Sequence, residues 1–312
     1  MELMTRAGVT APGFTIDYRS RLLCIGSCFA ESIAGKLAYY RFPVEVNPCG
    51  ILYNPFSIAN ALEFLVEERR MEERDLLRVD GKWASLYHHG AFSDPDARAC
   101  LARINARLER GAEALREASL LVVTWGTAWV YRHRREGIIV ANCHKIPDRE
   151  FERYRAGVDE IVRRYEALLP ALRAVNPALR VLFTVSPVRH RRDGARGNQL
   201  SKATLLLAVE RLQELFDDVH YFPAYEILLD ELRDYRFYAE DMCHPSAVAV
   251  DYIWELFRQA YISPACEPVA RQVEAIRRRM NHRPIASSPT DADRALLERQ
   301  LDDAVASFNK NP

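Results

Sequence analysis

Residues 21–40 read RLLCIGSCFAESIAGKLAYY. The run from Leu22 to Gly26 has the length and apolar character of a buried strand. From Cys28 onward the apolar positions recur at helical spacing. A strand that breaks at a glycine straight into a helix is a βα unit, the building block of a parallel sheet. The same break leaves Ser27 and Cys28 beside backbone N–H groups that have no partner inside the helix.

The alternation repeats along the chain. VEVNP (44–48) precedes a helical pattern, FSIANALEFLVEERR (56–70). SLLVVTWG (119–126) follows a helical stretch rich in Ala, Leu and Arg at 95–118. VLFTVSP (181–187) follows a long helix ending near Val175, and VHYFPAY (219–225) follows another ending near Phe216. Short β-rich runs between longer amphipathic ones predict a mainly parallel sheet covered on both faces, with helices in the outer layers. Two interruptions read as inserted hairpins: 76–89, turning at Asp80-Gly81, and 129–143, turning around Glu136-Gly137. The spacing predicts one α/β domain over 1–262 and a helical appendage over 263–312. In that tail two helices are expected, at 263–284 and 290–310, with Thr290 as a cap and Asn281 to Pro289 as a polar linker. The tail offers either a face that packs on the domain or a homodimer contact.

Composition narrows the function classes. The 312 residues are 49% hydrophobic and carry 43 basic and 43 acidic side chains. A net charge of zero supplies no general attraction to nucleic acid or to an anionic membrane surface. The first twenty residues lack the basic-then-apolar pattern of a secretion signal, and the apolar run around 119–131 is too short to span a bilayer. The seven cysteines contain no C-x-x-C pair, so neither a disulfide framework nor a zinc site is indicated. A reduced, cytoplasmic setting without metal or cofactor is the expectation.

In a doubly wound sheet, ligands sit beyond the carboxyl ends of the strands. That draws attention to Gly26-Ser27, Asn47-Pro48-Cys49-Gly50, Gly126-Thr127 and Ser186-Pro187. A hydroxyl at the start of a helix, as at Ser27, lies beside donors able to stabilise an oxyanion. The plain alternative is that Ser27 caps the helix. Cys28 is a rival nucleophile, because a thiol there feels the helix dipole, although a small cysteine is also ordinary core filling. A nucleophile needs a base. Most of the eight histidines sit in polar hairpins or arginine clusters, whereas His244 follows Asp241 by three residues on a loop closed by Pro245. Asp-x-x-His on one tight loop lets the carboxylate hold Nδ1 while Nε2 faces outward, the arrangement a general base requires.

Seven stretches in order now carry a resemblance: GSCFAESI (26–33), NPCGILYNP (47–55), GTAWVY (126–131), ANCHK (141–145), FTVSPVRH (183–190), NQLSKATL (198–205) and YFPAYEILLDELRDYRFYAEDMCHPS (221–246). Together they resemble the GSCFA-domain family, itself similar to the SGNH, or GDSL-like, hydrolases. The resemblance covers about residues 21 to 260. It implies a three-layer α/β/α, flavodoxin-like fold and a serine esterase or O-acyltransferase acting on small acyl esters, with acetyl groups on a carbohydrate as the substrate class. Ser27 then stands as nucleophile, with Asp241 and His244 completing a triad. The usual Gly-Asp-Ser is replaced by Gly-Ser-Cys, which shifts the serine by one place. Gly50 and Ser27 are implied as backbone oxyanion donors. The expected Gly-x-Asn-Asp is missing after Gly126, and Asn142 is the nearest amide that could replace its asparagine; closing a turn is its other reading. Asn54, Lys145, Arg189 and His190 lie near strand ends as candidate substrate contacts. The competing class is a binding module that keeps the fold and has lost turnover.

Overall fold

A computed structural model describes residues 5–281 and 291–310; Thr290 and most of the expected linker lie outside these. Five strands form the central sheet: β1 (Leu22–Gly26), β2 (Val44–Val46), β5 (Leu120–Trp125), β8 (Arg180–Val185) and β9 (Val219–Phe222), side by side in the order β2-β1-β5-β8-β9. Every pairing is parallel. The order reverses between β1 and β5, and this is the flavodoxin-type arrangement with its crevice at the reversal.

Alternate residues of the buried strands serve opposite faces, as the pleat requires. Leu23, Ile25, Leu121, Val123, Trp125, Val181, Phe183 and Val185 pack with helices α2 (Pro55–Val66), α3 (Ala97–Glu117), α4 (Val158–Val175) and α5 (Gly194–Leu215). Leu22, Cys24, Leu120, Val122 and Leu182 pack on the other side, against α1 (Cys28–Tyr39) and α7 (Ala247–Tyr261). A single helical turn, α6 (Ala224–Glu226), precedes α7. The tail helices α8 (Glu267–Asn281) and α9 (Asp291–Lys310) join this second layer. They bury Val273, Ile276, Leu301 and Ala304 there, and Arg41 binds Glu298 at 2.6 Å and Asp302 at 2.8 Å.

The first insertion is the expected hairpin, β3 (Leu77–Val79) with β4 (Lys82–Ala84), turning at Asp80 and Gly81. The second differs from expectation. β6 (Trp129–His133) turns tightly at Gly137 and touches Ile139 through one bridge, but its ladder partner is β7 (Phe151–Arg155), beyond ANCHK. Trp129 to His133 therefore face two segments. The 140–145 loop is held against the pocket side of the domain, with Ser57 donating to the Val140 carbonyl at 3.0 Å.

The β1–α1 corner admits no side chain at Gly26. Its φ is +141°, and a Cβ there would lie 2.2 Å from the Thr124 carbonyl oxygen. The Gly26 N–H donates to Asn47 Oδ1 at 2.8 Å, and its carbonyl accepts the Leu52 N–H at 2.9 Å. Gly26→Ala should therefore lower the urea midpoint by the equivalent of about 1–3 kcal/mol, the usual cost of overpacking, with an unchanged slope. An unaltered midpoint would show that the corner has room to relax.

Candidate active site

The carboxyl ends of β1, β5 and β8 open into a cavity of about 540 Å³. Ser27, Cys28, Asn54, Asn142, Asp241 and His244 all line it. A larger groove of about 670 Å³ runs along α3, but no His, Ser or Cys faces it.

Ser27 is the N-cap of α1 and is only 1% exposed. Its Oγ accepts the Phe29 N–H at 3.3 Å, and its own N–H donates to the Thr124 carbonyl at 3.2 Å. Cys28, the first helical residue, is half-buried. Burial pushes its thiol up, while the N–H groups of Phe29 and Cys28 and the charge of Lys202 favour the thiolate; Glu31 opposes it.

Asp241 and His244 form the pair expected from their spacing. Asp241 Oδ2 lies 2.5 Å from His244 Nδ1, and Oδ1 accepts the N–H groups of Cys243 at 2.9 Å and His244 at 3.0 Å. Those bonds hold the Asp241 carboxyl well below the ordinary carboxylate range. Both side chains are half exposed, at the mouth of the cavity. Met242, between them, takes φ +56°, which tightens the turn, and Arg189 closes it from across the cavity by donating its N–H to the Cys243 carbonyl at 3.0 Å.

The remaining expected residues divide. Asn142 lines the cavity; its Oδ1 accepts the His144 N–H at 2.8 Å, which leaves Nδ2 as its donor. Gly50 does not line the cavity, and its N–H donates to the Asn47 carbonyl at 2.8 Å. Lys145 is exposed and also lies off the cavity lining. Asn54 caps α2, accepting the Ser57 N–H at 2.8 Å and donating to Ser57 Oγ at 2.9 Å. Arg189 stacks on Tyr238 at 4.0 Å. His190 is held neutral: burial, then the charge of Lys202, pushes it down to about 4.

Several residues escaped the sequence reading. Lys202 is 1% exposed and donates to the carbonyls of Gly126 and Ser186, each at 2.6 Å, tying the ends of β5 and β8 beneath the cavity. The only sequence signal was a lysine on the buried stripe of α5. Arg153, on β7, lies over the Trp129 ring at 4.3 Å and is paired with the buried Asp193. Asn47, singled out in the sequence only for its place after the second strand, is 3% exposed and holds Gly26. Among the described residues, no group of three or more His, Cys, Asp or Glu is placed to hold a metal ion. No helix there is long and apolar enough to cross a membrane.

The family model for GSCFA matches residues 21–257. The chain belongs to the GSCFA family. The match begins at Arg21, takes in the whole five-stranded sheet with Ser27, Cys28, Asp241 and His244, and stops before the tail helices. No curated protein matches the GSCFA chain in sequence. Among solved structures it is similar to an acetyl xylan esterase (Est2A) from the rumen bacterium Butyrivibrio proteoclasticus, at 11% identity and TM-score 0.39, covering 78% of this chain and 65% of that one. It is also similar to a carbohydrate esterase family 3 protein from Talaromyces cellulolyticus, at 9% identity and TM-score 0.35, covering 82% and 99%.

Lys202 gives this site a pH signature. Burial pushes its ammonium down to about 7. A lysine in the unfolded chain titrates near about 10.4. Between those values the unfolded chain holds the extra proton, so this group adds stability as pH rises and loses it as pH falls through the folded value. Lys202→Met should flatten the stability-versus-pH curve between pH 7 and 10 relative to wild type, as read by urea titration. Parallel curves would mean that Lys202 keeps its ordinary affinity for the proton.

Proposed function

We propose that this pocket transfers a small acyl group, most simply acetyl, from an oxygen ester through a covalent acyl-enzyme. The observation that carries the reading is the Asp241–His244 contact at 2.5 Å, on a cavity that also receives a helix-starting Ser-Cys pair. Asp241 fixes Nδ1, so the other ring nitrogen takes the nucleophile's proton and returns it to the leaving oxygen. The nucleophile comes from the first step of α1. The Cys28 N–H there, with Asn142 Nδ2, receives the oxyanion. The N–H groups of Ser27 and Gly50 already serve the carbonyls of Thr124 and Asn47, so the donor role passes to Cys28 and Asn142.

Part of the pocket's positive charge is committed to carboxylates. Arg153 is paired with Asp193, Arg192 with Asp148 at 3.0 Å, and Arg189 lies on Tyr238. His190 is neutral, whereas Arg189 and Arg191, which also line the cavity, keep their charge. Tyr53, Trp129 and Tyr131 supply ring surface of the kind a sugar stacks on. An acetylated carbohydrate fits that lining. Water as acceptor gives an esterase, and a sugar hydroxyl gives an O-acyltransferase. The same chain chemistry serves both, because what differs is the group that meets the acyl-enzyme.

With a small activated acetyl ester as substrate, His244→Ala should lower turnover by about a hundred- to ten-thousand-fold, the range for a positioned acid–base group. A variant as active as wild type would remove the dyad from the reaction. Asn142→Ala should cost about a hundred- to a thousand-fold in the chemical step with little change in KM. Asn142→Asp should be worse, because it sets a carboxylate beside the developing charge. Aspartate equal to wild type in single-turnover kinetics would leave Asn142 only its turn with His144.

A further inference from the structure

Two side chains compete for the attacking role at the first step of α1, and they are not placed alike. Ser27 is consumed by the corner itself. Its N–H serves Thr124, its carbonyl accepts the Ala30 N–H at 2.8 Å, and its Oγ accepts the Phe29 N–H at 3.3 Å. Attack by that oxygen would take it from the helix cap, and at 1% exposure it has little access to an incoming ester. Cys28 sits one residue on, half-buried, and lines the cavity that holds His244.

Resting on the acyl-transfer reading of this pocket, we propose that the Cys28 thiol, and not the Ser27 hydroxyl, attacks the acyl carbon, so that the intermediate is a thioester. The surroundings of the sulfur fit that task. The N–H groups of Phe29 and Cys28 approach it, and the buried Lys202, which binds the Gly126 and Ser186 carbonyls, adds positive charge in its protonated form. Burial still keeps the resting thiol protonated, so the base must act during attack. Cys143 and Cys243 face the same cavity, but neither begins a helix with free N–H groups.

The step balances as follows. His244 takes the Cys28 proton as sulfur bonds to the acyl carbon, and the carbonyl oxygen becomes the oxyanion. The oxyanion collapses, the carbon–oxygen ester bond breaks, and the leaving oxygen takes the proton back from His244. Water or an acceptor hydroxyl then gives a proton to His244 and attacks the thioester. The carbon–sulfur bond breaks, and the thiolate recovers its proton from the imidazolium. No oxidant, reductant or metal enters.

The test is acid quench of the protein during turnover of a small activated acetyl ester, followed by peptide mapping of the acetyl group. The expected adduct is on Cys28, released by neutral hydroxylamine as a thioester is and an oxygen ester is not. Cys28→Ala should lose about a hundred-fold or more of the burst rate. Ser27→Ala should melt earlier yet still deposit acetyl on Cys28. Should Cys28→Ala fail to fold, Cys28→Ser answers the same question: acetyl at position 28, now hydroxylamine-resistant, supports the assignment. Acetyl on Ser27, Cys143 or Cys243 in the wild type overturns it while leaving acyl transfer intact. The absence of any adduct or burst, with turnover indifferent to His244→Ala, overturns both this proposal and the reading beneath it.

Discussion

The whole site hangs on a backbone that comes too close for a side chain. At Gly26 the chain passes the Thr124 carbonyl so tightly that only hydrogen fits. Around that contact the N–H of Gly26 is held by Asn47, its carbonyl by Leu52, and the N–H of Ser27 by Thr124. The loops after β1, β2 and β5 are thereby fixed to one another at the point where strand order reverses. α1 can then start directly at the crevice, presenting the Cys28 N–H to whatever enters.

Electrostatic design divides the cavity between a buried floor and an exposed mouth. Lys202 lies beneath, its charge spent on two strand-end carbonyls whose burial without a donor would cost about 1–3 kcal/mol each. That charge, with burial, keeps His190 neutral, so only one histidine of the crevice is matched with a carboxylate. Asp241 and His244 lie at the surface, where three hydrogen bonds within a four-residue turn supply the order that burial would otherwise give. The inserted β6–β7 hairpin adds the third wall and neutralises its own cation through Asp193.

Much of this was legible in the sequence because it is local. The unbroken apolar runs LLCIG and LLVVTW, buried at every position, and the glycine break before α1 follow from residues within one element. Asp-x-x-His was readable because both partners share one turn. What escaped was set by long-range contact. The partner of β6 is β7 and not the segment just across the turn, since strand pairing depends on what the rest of the domain leaves available. Lys202 looked like any helical lysine until α5 turned it under Gly126. The N–H of Gly50 bonds back to Asn47 three residues earlier, a turn bond that a motif match does not reveal.

In the proposed reaction the α1 corner and the Asp241–His244 loop act as one acyl-transfer site. The most direct measurement is the pre-steady-state release of leaving group from an activated acetyl ester in excess over protein. A burst of one equivalent per chain, abolished by His244→Ala with the fold intact, is the expected result. Linear release from the first instant, at a rate the His244 variant shares, would contradict it.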